Sequence, residues 1–93
     1  MDNCRYTRMP DIELRSIAGE HFLIVLHAGE SKMFSLNGMG LWFWEHLAHE
    51  TAPAALLQAM LHDYEVTEEV AAQEVERFLS YLVDKGLARC IAV

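Results

Sequence analysis

Cysteine and proline are scarce, with two of each in 93 residues, and the longest apolar run is the five residues 22-FLIVL-26. Cys4 and Cys90 lie near opposite ends with no CxxC spacing, which favours two reduced thiols over a disulfide. A run of five is far short of the roughly 18 to 20 residues a membrane span needs. The opening MDNCRYTRMP lacks the basic-then-apolar order of a signal peptide, so a cytoplasmic protein with no membrane contact is expected. Basic residues are also few: seven Lys and Arg face fourteen Asp and Glu, a net charge of −7 spread along the chain. A duplex-binding surface displaces counterions with a basic face, and no basic cluster exists here, so nucleic acid is not an expected partner.

What the sequence has in quantity is apolar side chain, 53% of all residues. That suits a single folded domain over 1–93. A domain of this size buries about 60% of the surface of its unfolded chain, which leaves little room for a deep, enclosed active site.

Residues 12-IELRSI-17 alternate loosely, 18-AGE-20 reads as a turn, and 21-HFLIVLH-27 is a strand rich in large apolar residues. After a second turn at 28-AGES-31, 32-KMFSL-36 resumes the alternation, with Phe34 and Leu36 on one face and Met33 and Ser35 on the other. Turns this short join only antiparallel neighbours, giving a three-stranded meander. Asn37 is a good N-cap for a helix over 38–48, in which Met39, Phe43, Trp44 and Leu47 form an inward stripe. Trp42 lies off that stripe, as either a lid over the core or an anchor at an interface. Thr51 is read as the cap of a second helix with Pro53 in its first turn, bearing Leu56, Leu57, Met60, Leu61 and Tyr64 on one face and ending near Asp63. Thr67 opens the longest helix, which runs to about Lys85 with Gly86 as its left-handed terminator and Ala71, Val75, Phe78, Leu79 and Leu82 as its buried stripe. The tail 87-LARCIAV-93 is either a short strand or a frayed end. The class is α+β, a winged helix-turn-helix-like domain of three antiparallel strands followed by three helices.

The succession 34-FSLNGMGLWFWEHL-47, a Thr-started helix with Leu57 and Leu61, 63-DYEV-66 and 75-VERFLSYLVDKGL-87 resembles the PqqD-like family. The resemblance covers residues 32 to 87 well and the first thirty only in strand content. It implies a peptide-binding chaperone, a recognition element for ribosomally made and post-translationally modified peptides. Its partners would be the leader of a precursor peptide and a modifying enzyme, as in pyrroloquinoline quinone biosynthesis with its radical S-adenosylmethionine enzyme. It also implies that the leader lies as an added strand against the third strand and along the third helix.

The third strand of a meander is an edge, so Lys32, Met33, Phe34, Ser35 and Leu36 are candidate peptide-binding residues on elementary grounds as well. Val70, Glu74, Arg77 and Tyr81, on the flank of the third helix beside its buried stripe, are candidates for the facing wall. No cofactor or metal site is expected: His46 and His49 are three apart at a helix end, and no third ligand stands at a suitable spacing. His21 and His27 bracket a strand as rim residues. No catalytic residue is expected either, since Cys4 and Cys90 are placed in segments read as mobile, without a held base. The rival readings are a winged-helix DNA-binding regulator, whose third helix would carry only Arg77 and Lys85 as basic residues, and a dimerising module in which the open edge meets a second copy.

Overall fold

The computed structural model describes residues 4–27 and 29–92. Ala28 of the expected second turn, the rim position expected for the His27 side chain and the last residue of the tail lie outside the described residues. The expected meander is present as β2 (Ile12–Ile17), β3 (Glu20–His27) and β4 (Glu30–Leu36), antiparallel in the order β2-β3-β4. Three helices follow: α1 (Gly38–His46), α2 (Pro53–Asp63) and α3 (Glu68–Asp84). The fold class is therefore α+β, a three-stranded antiparallel sheet succeeded by helices.

Ala18 and Gly19 both take positive φ, 54° and 83°, the signature of a two-residue type I′ turn whose twist matches that of the strands it joins. In such a hairpin the closing residues, here Ile17 and Glu20, exchange both main-chain hydrogen bonds. Bonded and non-bonded pairs then alternate. Arg15 with Phe22 and Glu13 with Ile24 are bonded, while His21, Leu23 and Val25 turn their N–H and C=O groups toward β4. The second hairpin closes on the pair His27 and Glu30, in the same parity. Lys32, Phe34 and Leu36 thus complete the ladder to β3. Ser31, Met33 and Ser35 point their main-chain groups to the open edge.

One face of the sheet packs on the helices through Leu23, Leu36 and the half-buried Phe34 and Val25. The other face leaves Ile17, Leu26 and Met33 exposed. Asn37 caps α1 as expected, its Oδ1 accepting from Gly40 N at 2.7 Å. Phe43, Trp44 and Leu47 are buried and Met39 is partly so. The Phe43 ring stacks on that of Phe78 in α3, centroids 4.7 Å apart and nearly parallel. Gly40 sits where α1 crosses close to its neighbours: a Cβ there would meet Leu36 Cδ2 at 3.0 Å and Phe78 Cζ at 3.2 Å. Thr67 caps α3 by accepting from Val70 N, Gly86 terminates it at φ 75°, and its buried residues are Ala71, Val75, Leu79 and Leu82.

Three expectations need correction. Helix α1 stops at His46, two residues short of 48. Thr51 does not cap α2; Ala52 holds that position and Pro53 begins the helix. The Thr51 hydroxyl instead reaches back to the end of α1, within 3.1 Å of His46 O and 2.8 Å of His49 O, where carbonyls past the last helical turn need donors. The segments holding Cys4 and Cys90, expected to be mobile, are strands instead, and of the two readings of the tail it takes the strand. β1 (Cys4–Arg8) and β5 (Ala88–Ala92) pair antiparallel as a second, two-stranded sheet.

That second sheet is pinned by the same helix end. Thr7 Oγ1 and Arg8 N both donate to Leu47 O, and Arg8 Nη1 donates to Trp44 O. The Arg8 guanidinium also sits 5.3 Å from the Trp44 ring centre. Tyr6 and Thr51 exchange both main-chain bonds at 2.9 Å. Cys4 and Cys90 fall in these two strands and are not bridged to each other.

Trp44, 2% exposed, is packed in the core and under Arg8. Trp44→Ala is expected to lower stability by about 3 to 5 kcal/mol in urea unfolding, as removal of a large buried aromatic does. A loss under about 1 kcal/mol would show that the junction can collapse around the cavity.

Candidate functional site

Ser35 and Leu36, at the end of the open edge, face α3 across a cleft of about 150 Å³. Its other walls are Arg77, Phe78 and Tyr81, with Asn37 at its end. Four of the nine expected peptide-binding residues, Ser35, Leu36, Arg77 and Tyr81, therefore meet. Leu36 is 8% exposed and supplies floor; Tyr81 is 36% exposed and supplies rim. The rings of Phe78 and Tyr81 lie 5.8 Å apart, so the helix wall is aromatic. Arg77 is held by Glu74, Nη2 to Oε2 at 2.6 Å, which offsets its charge.

Lys32 and Phe34 lie elsewhere. They border a larger cleft of about 520 Å³ with Ile12, Val25, Lys85 and Gly86. β4 thus runs against α3, its earlier residues beside the C-terminal end of the helix and its last residues beside Arg77 and Phe78. Continuing that course puts Val70 and Glu74 beyond Leu36, and they border neither cleft. Met33 is 56% exposed, its side chain on the outer face of the sheet and its main chain at the edge. Phe78 and Asn37 were not expected in the site. Phe78 was assigned to the buried stripe; it is partly buried against the core and also lines the cleft.

Trp42 is partly buried against the core. Its Nε1–H donates to Asp63 Oδ2 at 2.8 Å, its ring meets Tyr64 edge-on at 5.8 Å, and it lies 4.1 Å from the His46 ring. His46 in turn bonds through Nδ1 to Trp42 O at 2.9 Å, so it is engaged in closing α1. His21 pairs with Ser16 Oγ at 2.7 Å. Among the described residues no group of His, Cys, Asp and Glu could hold a metal ion, no buried side chain is polar or charged, and no helix is long and apolar enough to cross a membrane.

The description of one family model, Coenzyme PQQ synthesis protein D (PqqD), matches residues 23–88. The chain belongs to that family. The matched span begins in β3 and ends at the first residue of β5, so it contains the open edge, the cleft and all of α3. No curated protein and no solved structure matches the chain significantly.

The donated hydrogen bond from Trp42 is the main cause holding the Asp63 carboxyl below the usual aspartate value of 3.8, with His62 adding to it. A carboxylate with a lowered folded pKa stabilises the fold above its unfolded pKa, and that contribution is lost as pH falls through the folded value. Indole emission in the folded protein is therefore expected to change at a pH below 3.8, and the step should vanish in Asp63→Asn and in Trp42→Phe. An unaltered step in Asp63→Asn would assign it to another carboxylate.

Proposed function

We propose that the chain is a non-catalytic peptide chaperone, a single recognition domain over 1–93. It binds the leader of a ribosomally made precursor by strand addition to β4 and presents it to a modifying enzyme in the synthesis of pyrroloquinoline quinone or a related product. The observation that carries this reading is the parity of the meander. Ser31, Met33 and Ser35 offer three consecutive outward pairs of main-chain donor and acceptor, and the last of them opens onto the cleft under Arg77, Phe78 and Tyr81. An added strand gains affinity from those main-chain bonds. Its alternate side chains face α3, where the aromatic wall reads one of them.

Family membership supports the same reading, since the matched span holds both walls of the cleft. Of the nine residues expected from the sequence, Met33, Ser35, Leu36, Arg77 and Tyr81 are the ones we assign to the peptide. Lys32 and Phe34 support the strand from its β3 side, and Val70 and Glu74 could contact only a peptide that continues past Leu36. A second copy pairing at the same edge would compete with the peptide.

Met33→Pro and Ser35→Pro each remove an outward N–H, and proline is tolerated at that side of an edge strand. Both variants are expected to stay folded by circular dichroism and to bind a synthetic leader of the pyrroloquinoline quinone precursor about tenfold or more weakly in calorimetry. Phe34→Pro removes a bond to β3 and is expected to destabilise the sheet itself. If the two edge variants fold and retain full affinity, the peptide pairs elsewhere.

A further inference from the structure

α3 has a second flank, on the other side of its buried stripe from Arg77 and Tyr81. There it forms a groove with α2 and β1. Two clefts, of about 290 and 320 Å³, join at Tyr6, Leu79 and Ser80 to make one channel along the helix. Its floor is apolar: Tyr6, Leu57, Val75 and Leu79. The walls are low at the small side chains of Ala54, Ala72 and Ser80, so a visiting backbone can come close. Val83 continues the apolar surface and is 40% exposed.

We infer that this groove docks a basic amphipathic helix of a partner protein. The occupant has to satisfy its own main chain. The groove is bounded by two helices, whose main-chain groups are internally bonded, and by β1, which pairs with β5 on one side and bridges to Thr51 on the other. It offers no ladder to an extended strand, whereas a helix arrives with its hydrogen bonds already made. The charge follows from the rim. Glu76 borders the first cleft and Asp84 the second, both exposed, and neither is in an ion pair among the described residues. They stand eight residues apart on α3, about 12 Å along its axis. A partner helix with an apolar stripe and two Lys or Arg about two turns apart matches both features. A second copy of this chain matches poorly, because each copy carries −7. Peptide capture at β4 is neither needed for this docking nor blocked by it.

The test uses a synthetic 15-residue leucine-alanine-lysine helix with lysines two turns apart beside its leucine stripe, and its glutamate-for-lysine counterpart, titrated into the isotope-labelled protein by NMR. The lysine peptide is expected to shift the signals of Tyr6, Ala72, Leu79 and Ser80 and to leave Ser31, Met33 and Ser35 unmoved. The Glu76→Lys/Asp84→Lys variant should weaken it about tenfold, as two rim charge pairs become repulsive. Ser80→Phe, which fills the channel from an exposed position, should do the same without altering charge. No shift at millimolar lysine peptide, an equal response to the glutamate peptide, or shifts confined to β4 would overturn the inference. So would a concentration-dependent dimer in sedimentation that the double variant dissolves, since the groove would then hold a second copy.

Discussion

The hydrogen-bonding parity of the meander governs the rest of the molecule. Ala18 and Gly19 in the left-handed region force a two-residue hairpin, and from that turn every main-chain group in three strands has its direction assigned. The same choice sends Leu23, Phe34 and Leu36 to the helices and leaves Ser31, Met33 and Ser35 open at the edge. A slip of one residue would expose the core face and reverse the edge, so the buried face and the open edge are set by one register.

α3 converts that register into a site. Its buried stripe holds the helix against α1 and α2, chiefly through Phe78 on Phe43 and through Val75, Leu79 and Leu82 in the core. With the stripe buried, two flanks remain, one facing the sheet edge and one facing β1 and α2. α1 is the spacer between sheet and helix. Its first turn is capped by Asn37 and approaches α3 closely at Gly40, while the carbonyls at its end are taken by Thr7, Arg8 and Thr51.

Most of this layout was legible in the sequence because it follows from local periodicity. The alternation in 32-KMFSL-36, the Asn37 and Thr67 caps and the Gly86 terminator are signals written within a few residues of their effect. What escaped was non-local. The pairing of β1 with β5 joins residues eighty or more positions apart, and it is held by the free carbonyls of a helix end that no pattern in either strand announces. Thr51 was misread because a threonine ahead of a proline resembles a cap, yet unsatisfied carbonyls nearby drew its hydroxyl away. The site was half legible. Helical spacing groups Val70, Glu74, Arg77 and Tyr81 on one flank, but a strand rises about 3.3 Å per residue and crosses that flank over a short length. Ser35 and Leu36 therefore reach Arg77 and Tyr81, while Lys32 and Phe34 pass to the end of the helix beside Lys85 and Gly86.

The central claim is that β4 presents a ready-made edge to an extended peptide, and amide hydrogen exchange resolved to single residues reads it directly. In the protein alone, the amides of Lys32, Phe34 and Leu36 are expected to exchange slowly and those of Ser31, Met33 and Ser35 quickly; saturating leader peptide should slow the second set and leave the first unchanged. Uniform protection along β4 before peptide is added, or protection that appears only at α2 and α3 after it, would contradict the account.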